Sequence, residues 1–136
     1  MRKLVLAVSL FLCLPIQTVS ASDASPFQLI YRQENVVADQ DHTRSDLLIT
    51  VINLSGAEAR DIIVSIPVMN PYVFVDSPIF VATIPDNRQA EILHRSSISN
   101  EQIALSEPEE NLVWRIEYTD ATGERALVEV KGVRAQ

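Results

Sequence analysis

The sequence predicts an all-β protein: a single antiparallel β-sandwich of about seven to eight strands, preceded by an N-terminal leader. Three observations carry this expectation. Short apolar and β-branched runs recur along the chain, separated by turn signals every ~8–12 residues. Two segments near the end, 112–119 and 126–131, alternate apolar and polar residues with period two, the mark of a strand with one face buried and one wet. Helical patterning is confined to 99–105, where Ser99 is placed to cap, Gln102 stands three residues later, and Pro108 stops any continuation.

The first residues read as an export address. Arg2 and Lys3 precede an apolar run from Leu4 to Leu14, broken at Pro15. Val19 and Ala21 stand at the −3 and −1 positions of a small-residue cleavage site, which makes 1–21 a secretory signal peptide and 22–136 the mature domain. A spanning helix needs ~20 apolar residues, more than this run supplies. Cys13 raises lipid attachment as an alternative, but it lies inside the apolar run behind bulky Phe11 and Leu12. The expected product is therefore not inserted in a membrane after cleavage and resides in the periplasm, with free secretion as the alternative.

Charge and cysteine usage narrow the function. All 18 acidic residues follow residue 21, while Arg2 and Lys3 precede it, so cleavage would shift the net charge from −7 to −9. An acidic surface argues against nucleic acid or an anionic membrane as partner. The only cysteine goes with the leader, so the domain relies on its core without disulfides.

The strands follow in order. After a polar lead-in ending at Pro26, Phe27 to Gln33 is extended and can reach Val37. A polar loop, 38–45, comes next. Leu47 to Asn53 is apolar on both alternation faces, as a central strand would be, and 54–58 supplies a turn around Gly56. Asp61 to Ile66 stops at Pro67. Tyr72 to Val75 and Ile79 to Ile84 are short runs bracketed by Pro71, Pro78 and Pro85, and Gln89 to Arg95 alternates. The last hairpin is the clearest: Leu112, Trp114, Ile116 and Tyr118 share one face, Ala126, Val128 and Val130 share one face of the return strand, and Gly123 serves the turn.

Two of these segments carry a family resemblance. The stretch from Leu47 through Asn53, Gly56 and Ala57 to Ile66 and Pro67 is an apolar strand ending in Asn, a small-residue turn and a second strand leading to Pro. It resembles the strand–turn–strand unit of bacterial Ig-like domains of the cell-adhesion-related type. Trp114 to Asp120, before a glycine-containing turn, resembles the penultimate strand of such a sandwich. The resemblance implies an Ig-like sandwich used for adhesion, spacing, assembly or accessory binding, and assigns no residue a fixed role. Asn53 and Trp114 read as structural, the first bonding the turn backbone and the second filling the core.

Reactive chemistry is scarce. The mature chain has no cysteine nucleophile and no Gly-x-Ser-x-Gly elbow. His42 and His94 are its two imidazoles; His94 shares a register with Ala90 and Ile92 and reads as a packed residue. Asp39, Asp41, His42 and Asp46 form the one metal-like cluster, read either as a solvated acidic loop or as an oxygen-rich cation site lacking the Gly and distal Glu of an EF-hand. Glu107, Glu109 and Glu110 read as solvated surface. The expectation is a protein without catalytic residues, metal or cofactor; a small metal-dependent enzyme on the 39–46 cluster is the minority alternative.

The most suggestive segment is 70–85, apolar on both alternation faces and rich in proline. Proline favours an edge strand, and an edge with exposed apolar side chains can receive a partner. Tyr72, Phe74, Ile79 and Phe80 are the candidate contact residues, with closure of the sandwich end as the alternative role. The partner would be another envelope protein. The functional expectation is an exported, non-catalytic binding or assembly module, or, alternatively, a periplasmic chaperone-like subunit that uses the same edge.

Overall fold

In the computed structural model, which describes residues 18–19, 25–67, 77–105 and 112–135, nearly every β-branched run becomes a strand. The elements are β1 (Thr18–Val19), β2 (Phe27–Ala38), β3 (His42–Asn53), β4 (Ala59–Ser65), β5 (Ile79–Ile84), β6 (Gln89–Ser99), α1 (Asn100–Leu105), β7 (Val113–Thr119) and β8 (Arg125–Arg134). The Tyr72–Val75 run lies outside the described residues.

The strands hydrogen-bond in the order β5-β4-β7-β8-β2-β3-β6, with β1 beside β8. This path folds over on itself at β8. Residues 125–131 of β8 pair antiparallel with β7, whereas Gly132, Val133 and Arg134 run parallel to Leu29, Ile30 and Tyr31 of β2. One layer is thus β5-β4-β7-β8 and the other β8-β2-β3-β6, an Ig-like sandwich with β8 shared. The β2–β8 seam and the β1–β8 pair are parallel, where the sequence predicts antiparallel pairing throughout. Alternation specifies which face is buried and carries no information on a neighbour's direction.

The two layers close on one core. Phe27, Leu29, Leu47, Ile49 and Val51 from one layer meet Ile62, Val64, Trp114, Ile116 and Val128 from the other. Ring contacts span the interface: Phe27 meets Tyr118 edge-on at 4.8 Å, and Tyr31 meets Trp114 at 5.5 Å. The predicted alternation holds residue by residue on the first strand of the last hairpin, with Leu112, Trp114, Ile116 and Tyr118 all buried, while on the return strand Val128 and Val130 are buried and Ala126 is half-buried. β3 lies between β2 and β6, with Leu47, Ile49 and Val51 buried in the core and Leu48 and Ile52 half-buried on the opposite face.

Two strands run further than their apolar patterns. β3 begins at His42 rather than Leu47, and β6 continues to Ser99, because 42–46 pair with 95–99 in the adjoining ladder. The polar segment expected as a long loop is therefore a short turn followed by strand. Two bulges also interrupt the ladders. Asn35 (φ 53°) sits in the β2 shift between Glu34 and Val37, and Asp61 (φ 49°) in the β4 shift between Arg60 and Ile63. Asn and Asp tolerate the left-handed region better than most residues.

The hinge of the fold is Gly132. A Cβ placed there would lie 2.3 Å from Trp114 Nε1, 2.6 Å from Trp114 Cδ1 and 2.9 Å from Tyr31 Cε1. The indole therefore packs directly on the β8 main chain where that strand leaves β7 for β2. Gly132 N–H donates to the Leu112 carbonyl (3.0 Å), the last bond to the first layer before the crossing.

Candidate functional site

β5 is the terminal strand of its layer and pairs only with β4 among the described residues. Adjacent residues of a strand point to opposite faces, and here that divides the predicted contact set. Ile79 turns inward and is 5% exposed, so it belongs to the core and is withdrawn as a contact residue. Phe80 turns outward and is 76% exposed. Tyr72 and Phe74 lie outside the described residues.

Phe80 does not stand alone. It is opposite Ile63 of β4, which is opposite Glu117 of β7, which is opposite Leu127 of β8. Ile63, Phe80, Val81 and Ala82 line an open hollow of about 470 Å³, closed on one side by Asp61 and Arg125. Arg125 is fixed there: its guanidinium donates to the Asp61 carbonyl (2.7 Å) and Thr119 Oγ1 (3.0 Å) and lies 3.5 Å from Glu117 Oε2. The β4 bulge turns the Asp61 carbonyl toward this arginine. The site is an apolar strand edge beside a held cation, suited to van der Waals contact and main-chain pairing.

The 39–46 cluster is arranged differently. Asp39 Oδ1 accepts the backbone N–H groups of Asp41 (2.9 Å) and His42 (2.8 Å), and its Oδ2 meets Arg44 at 3.2 Å. The His42 backbone bond, followed by that of Asp41, holds the Asp39 carboxyl below its ordinary pKa. Asp46, further along β3, accepts from Asn35 Nδ2 (2.8 Å) and Arg95 Nε (3.2 Å). Asn100 at the start of α1 clasps the turn, donating from Nδ2 to the Asp39 carbonyl (2.8 Å) and accepting from Thr43 Oγ1 (2.7 Å). The cluster thus serves as a turn and a cross-strand ion pair. No group of three or more His, Cys, Asp or Glu side chains placed to hold a metal occurs among the described residues.

Asn53 performs the structural role expected of it, and more. It is fully buried where the chain crosses between layers. Its Nδ2 donates to the carbonyls of Ala57 (2.8 Å) and Ile84 (2.9 Å), and its Oδ1 accepts from Ser55 N–H (3.0 Å). Its own backbone bonds Arg88 and Asn87 (both 2.9 Å), and Asp86 Oδ1 accepts from Gly56 N–H (3.0 Å). The β3–β4 and β5–β6 corners are therefore joined through one amide side chain, which anchors the end of β5. Sequence reasoning found Asn53 but only its local half, since the β5–β6 partner is distant in the chain. His94 is half-buried on the same face as Ala90 and Ile92, opposite Leu47.

Three further side chains have perturbed titration. The Thr122 hydroxyl, with the backbone N–H groups of Glu124, Thr122 and Gly123, lowers the Asp120 pKa in the β7–β8 turn. Burial raises the pKa of Tyr31 against the opposing pull of Arg134, and raises that of Tyr118, reinforced by Asp120. All three are fold contacts rather than a gathered reactive site. No helix among the described residues is long and apolar enough to cross a membrane.

No protein-family model matches the chain, and no curated protein matches it. Among solved structures, the chain is similar to one described as Northeast Structural Genomics Consortium target SoR45 (17% identity, 82% of this chain and 85% of that one, TM-score 0.45). It is also similar to the CARDB domain of the PF1109 protein from Pyrococcus furiosus, solved in complex with di-metal ions (13% identity, 79% and 87% coverage, TM-score 0.35). A third is a GH20 exo-β-N-acetylglucosaminidase from Vibrio harveyi (12% identity, TM-score 0.43), where the similarity covers 82% of this chain but only 18% of the enzyme.

Proposed function

We propose that this protein is an exported, non-catalytic Ig-like module of the bacterial envelope that binds another protein through the β5 edge. The observation that carries this reading is Phe80: an aromatic side chain 76% exposed on a terminal strand, beside the hollow formed with Ile63 and Val81. A large exposed apolar side chain on an unpaired edge attracts a second chain unless it is covered. Support for a non-catalytic role comes from the Asp39 and Asp46 carboxylates, which are engaged by backbone amides and arginines. The leader-like start supports a periplasmic setting.

The test is recovery of partners from envelope extracts with the wild-type protein and with Phe80→Asp. The substituted side chain is solvent-facing, so the fold should change by no more than ~0.5 kcal/mol. Loss of a specific partner with unchanged thermal stability is the expected result. Recovery of the same partners at the same yield would remove the β5 edge as the interface.

A further inference from the structure

Among the described residues β8 presents a second strand edge, and there the structure shows an occupant. Over residues 125–131, β8 pairs with β7 on one side, and β2 joins its other side only at Gly132. The direction of the amides follows from two bonds. Gly132 N–H donates to Leu112 on the β7 side, and Ala135 N–H donates to Tyr31 on the β2 side. Backbone groups alternate along a strand, so the N–H groups of Leu127, Glu129 and Lys131 point at the open edge. Thr18–Val19 runs along that edge parallel to β8, in register with Leu127 and Val128. Above it, between β8 and the start of β2, is an open slot of about 720 Å³ bordered by Phe27, Leu54, Val130, Lys131 and Val133. Leu54 and Val133 are exposed apolar side chains at its rim.

Thr18–Val19 lies just ahead of the cleavage point expected after Ala21. We infer that the open edge of β8 is a strand-acceptor site. Thr18–Val19 fills it in the unprocessed chain, and removal of residues 1–21 vacates it. In the processed protein it takes an extended, uncharged, β-branched segment of another exported protein, added parallel to β8. This inference rests on the leader reading and uses a different edge from β5. The direction and chemistry of the occupant are those of Thr18–Val19 itself. Parallel addition supplies acceptors to the outward amides, and an apolar side chain can enter the slot. A second copy is a poor occupant, because like-charged acidic chains repel.

The probe is a synthetic peptide of residues 16–21 (Ile-Gln-Thr-Val-Ser-Ala). It is added to protein purified from the envelope, with its N-terminus fixed by mass spectrometry, and to the full chain carrying Ala21→Arg to block cleavage. With the processed protein, saturating peptide should slow amide exchange at Leu127 and Glu129 roughly tenfold, the scale of one net backbone hydrogen bond. In the uncleaved chain the Leu127 and Glu129 amides should already be slow and should not respond. A peptide with Thr18→Pro and Val19→Pro should give no protection, a control that leaves the folded protein untouched. A processed protein starting at Ser22 whose β8 amides ignore the peptide would overturn the acceptor site. An N-terminus that retains Thr18 and Val19 would overturn the vacating step, and the mass distinguishes the two failures. A concentration-dependent dimer protecting the same amides would assign the edge to a second copy and overturn the partner assignment.

Discussion

Gly132→Ala should be among the most damaging single-methyl additions available in this protein. The new Cβ would meet Trp114 Nε1 at 2.3 Å, whereas ordinary contact begins near 3.4 Å, so more than 1 Å of relief is needed. Neither neighbour can readily provide it. Trp114 is fully buried and Tyr31, against which it packs, is 6% exposed. The β8 main chain is held on both sides, by Leu112 and by the pairing of Gly132 with Leu29. Overpacking of a tight core costs ~1–3 kcal/mol, and this site belongs at the upper end. Reduced freedom of the unfolded chain returns about 0.4–1 kcal/mol. The net expectation is a loss of about 2 kcal/mol, lowering Tm by roughly 8 °C or more for a domain of this size. The assay is urea and thermal unfolding of wild type, Gly132→Ala, Trp114→Phe and the double variant. Trp114→Phe removes the atom that the Cβ meets first, so the two changes should couple by about 1 kcal/mol or more. A Gly132→Ala protein as stable as wild type, or strictly additive variants, would show that the indole does not pack on the β8 backbone.

Other predictions follow from the same contacts. Asn53→Ala leaves the Ile84 and Ala57 carbonyls and the Ser55 amide without their side-chain partner, and at ~1–3 kcal/mol for a buried unsatisfied group should cost at least ~2 kcal/mol in chemical unfolding. Asp39 and Asp120 have folded pKa values held below their unfolded ones, so their contribution to stability is present above about pH 4 and is lost as pH falls through the folded values. Unfolding midpoints measured from pH 7 down to pH 2.5 should therefore fall, and Asp120→Ala should flatten that dependence. Tyr31 and Tyr118 have raised pKa values, so their contribution is complete below about pH 10 and is lost above it; ultraviolet titration should show tyrosinate forming later in the folded protein than in urea.

What the sequence made legible was whatever depends on local pattern. The alternation from Leu112 to Tyr118 gave the buried face of β7 because one side chain in two must point inward. Ser99 was recognisable as a cap, and its Oγ accepts the Gln102 N–H at 3.2 Å. Asn53 was recognisable as a turn residue. What remained hidden depends on distant partners. In 79–84 both alternation faces are apolar, so the sequence could not say that Ile79 packs inside and Phe80 outside. The strand character of 42–46 came from pairing with 95–99 rather than from hydrophobicity. Gly132 looked like any glycine near the end of a strand. Its requirement comes from an indole 18 residues earlier in the chain and from a layer crossing that alternation does not encode. The β5 site was legible only as an edge of apolar residues; Arg125 and the bulge at Asp61 that border it were not foreseen.

Photo-crosslinking in living cells tests the proposed contact between the β5 edge and another protein most directly. A photoreactive phenylalanine analogue at position 80 should give one discrete adduct of higher mass than the chain alone, while the same analogue at the exposed Leu93 position on β6 gives none. No adduct from position 80, or the same spread of adducts from both positions, would contradict the claim that β5 is a binding edge.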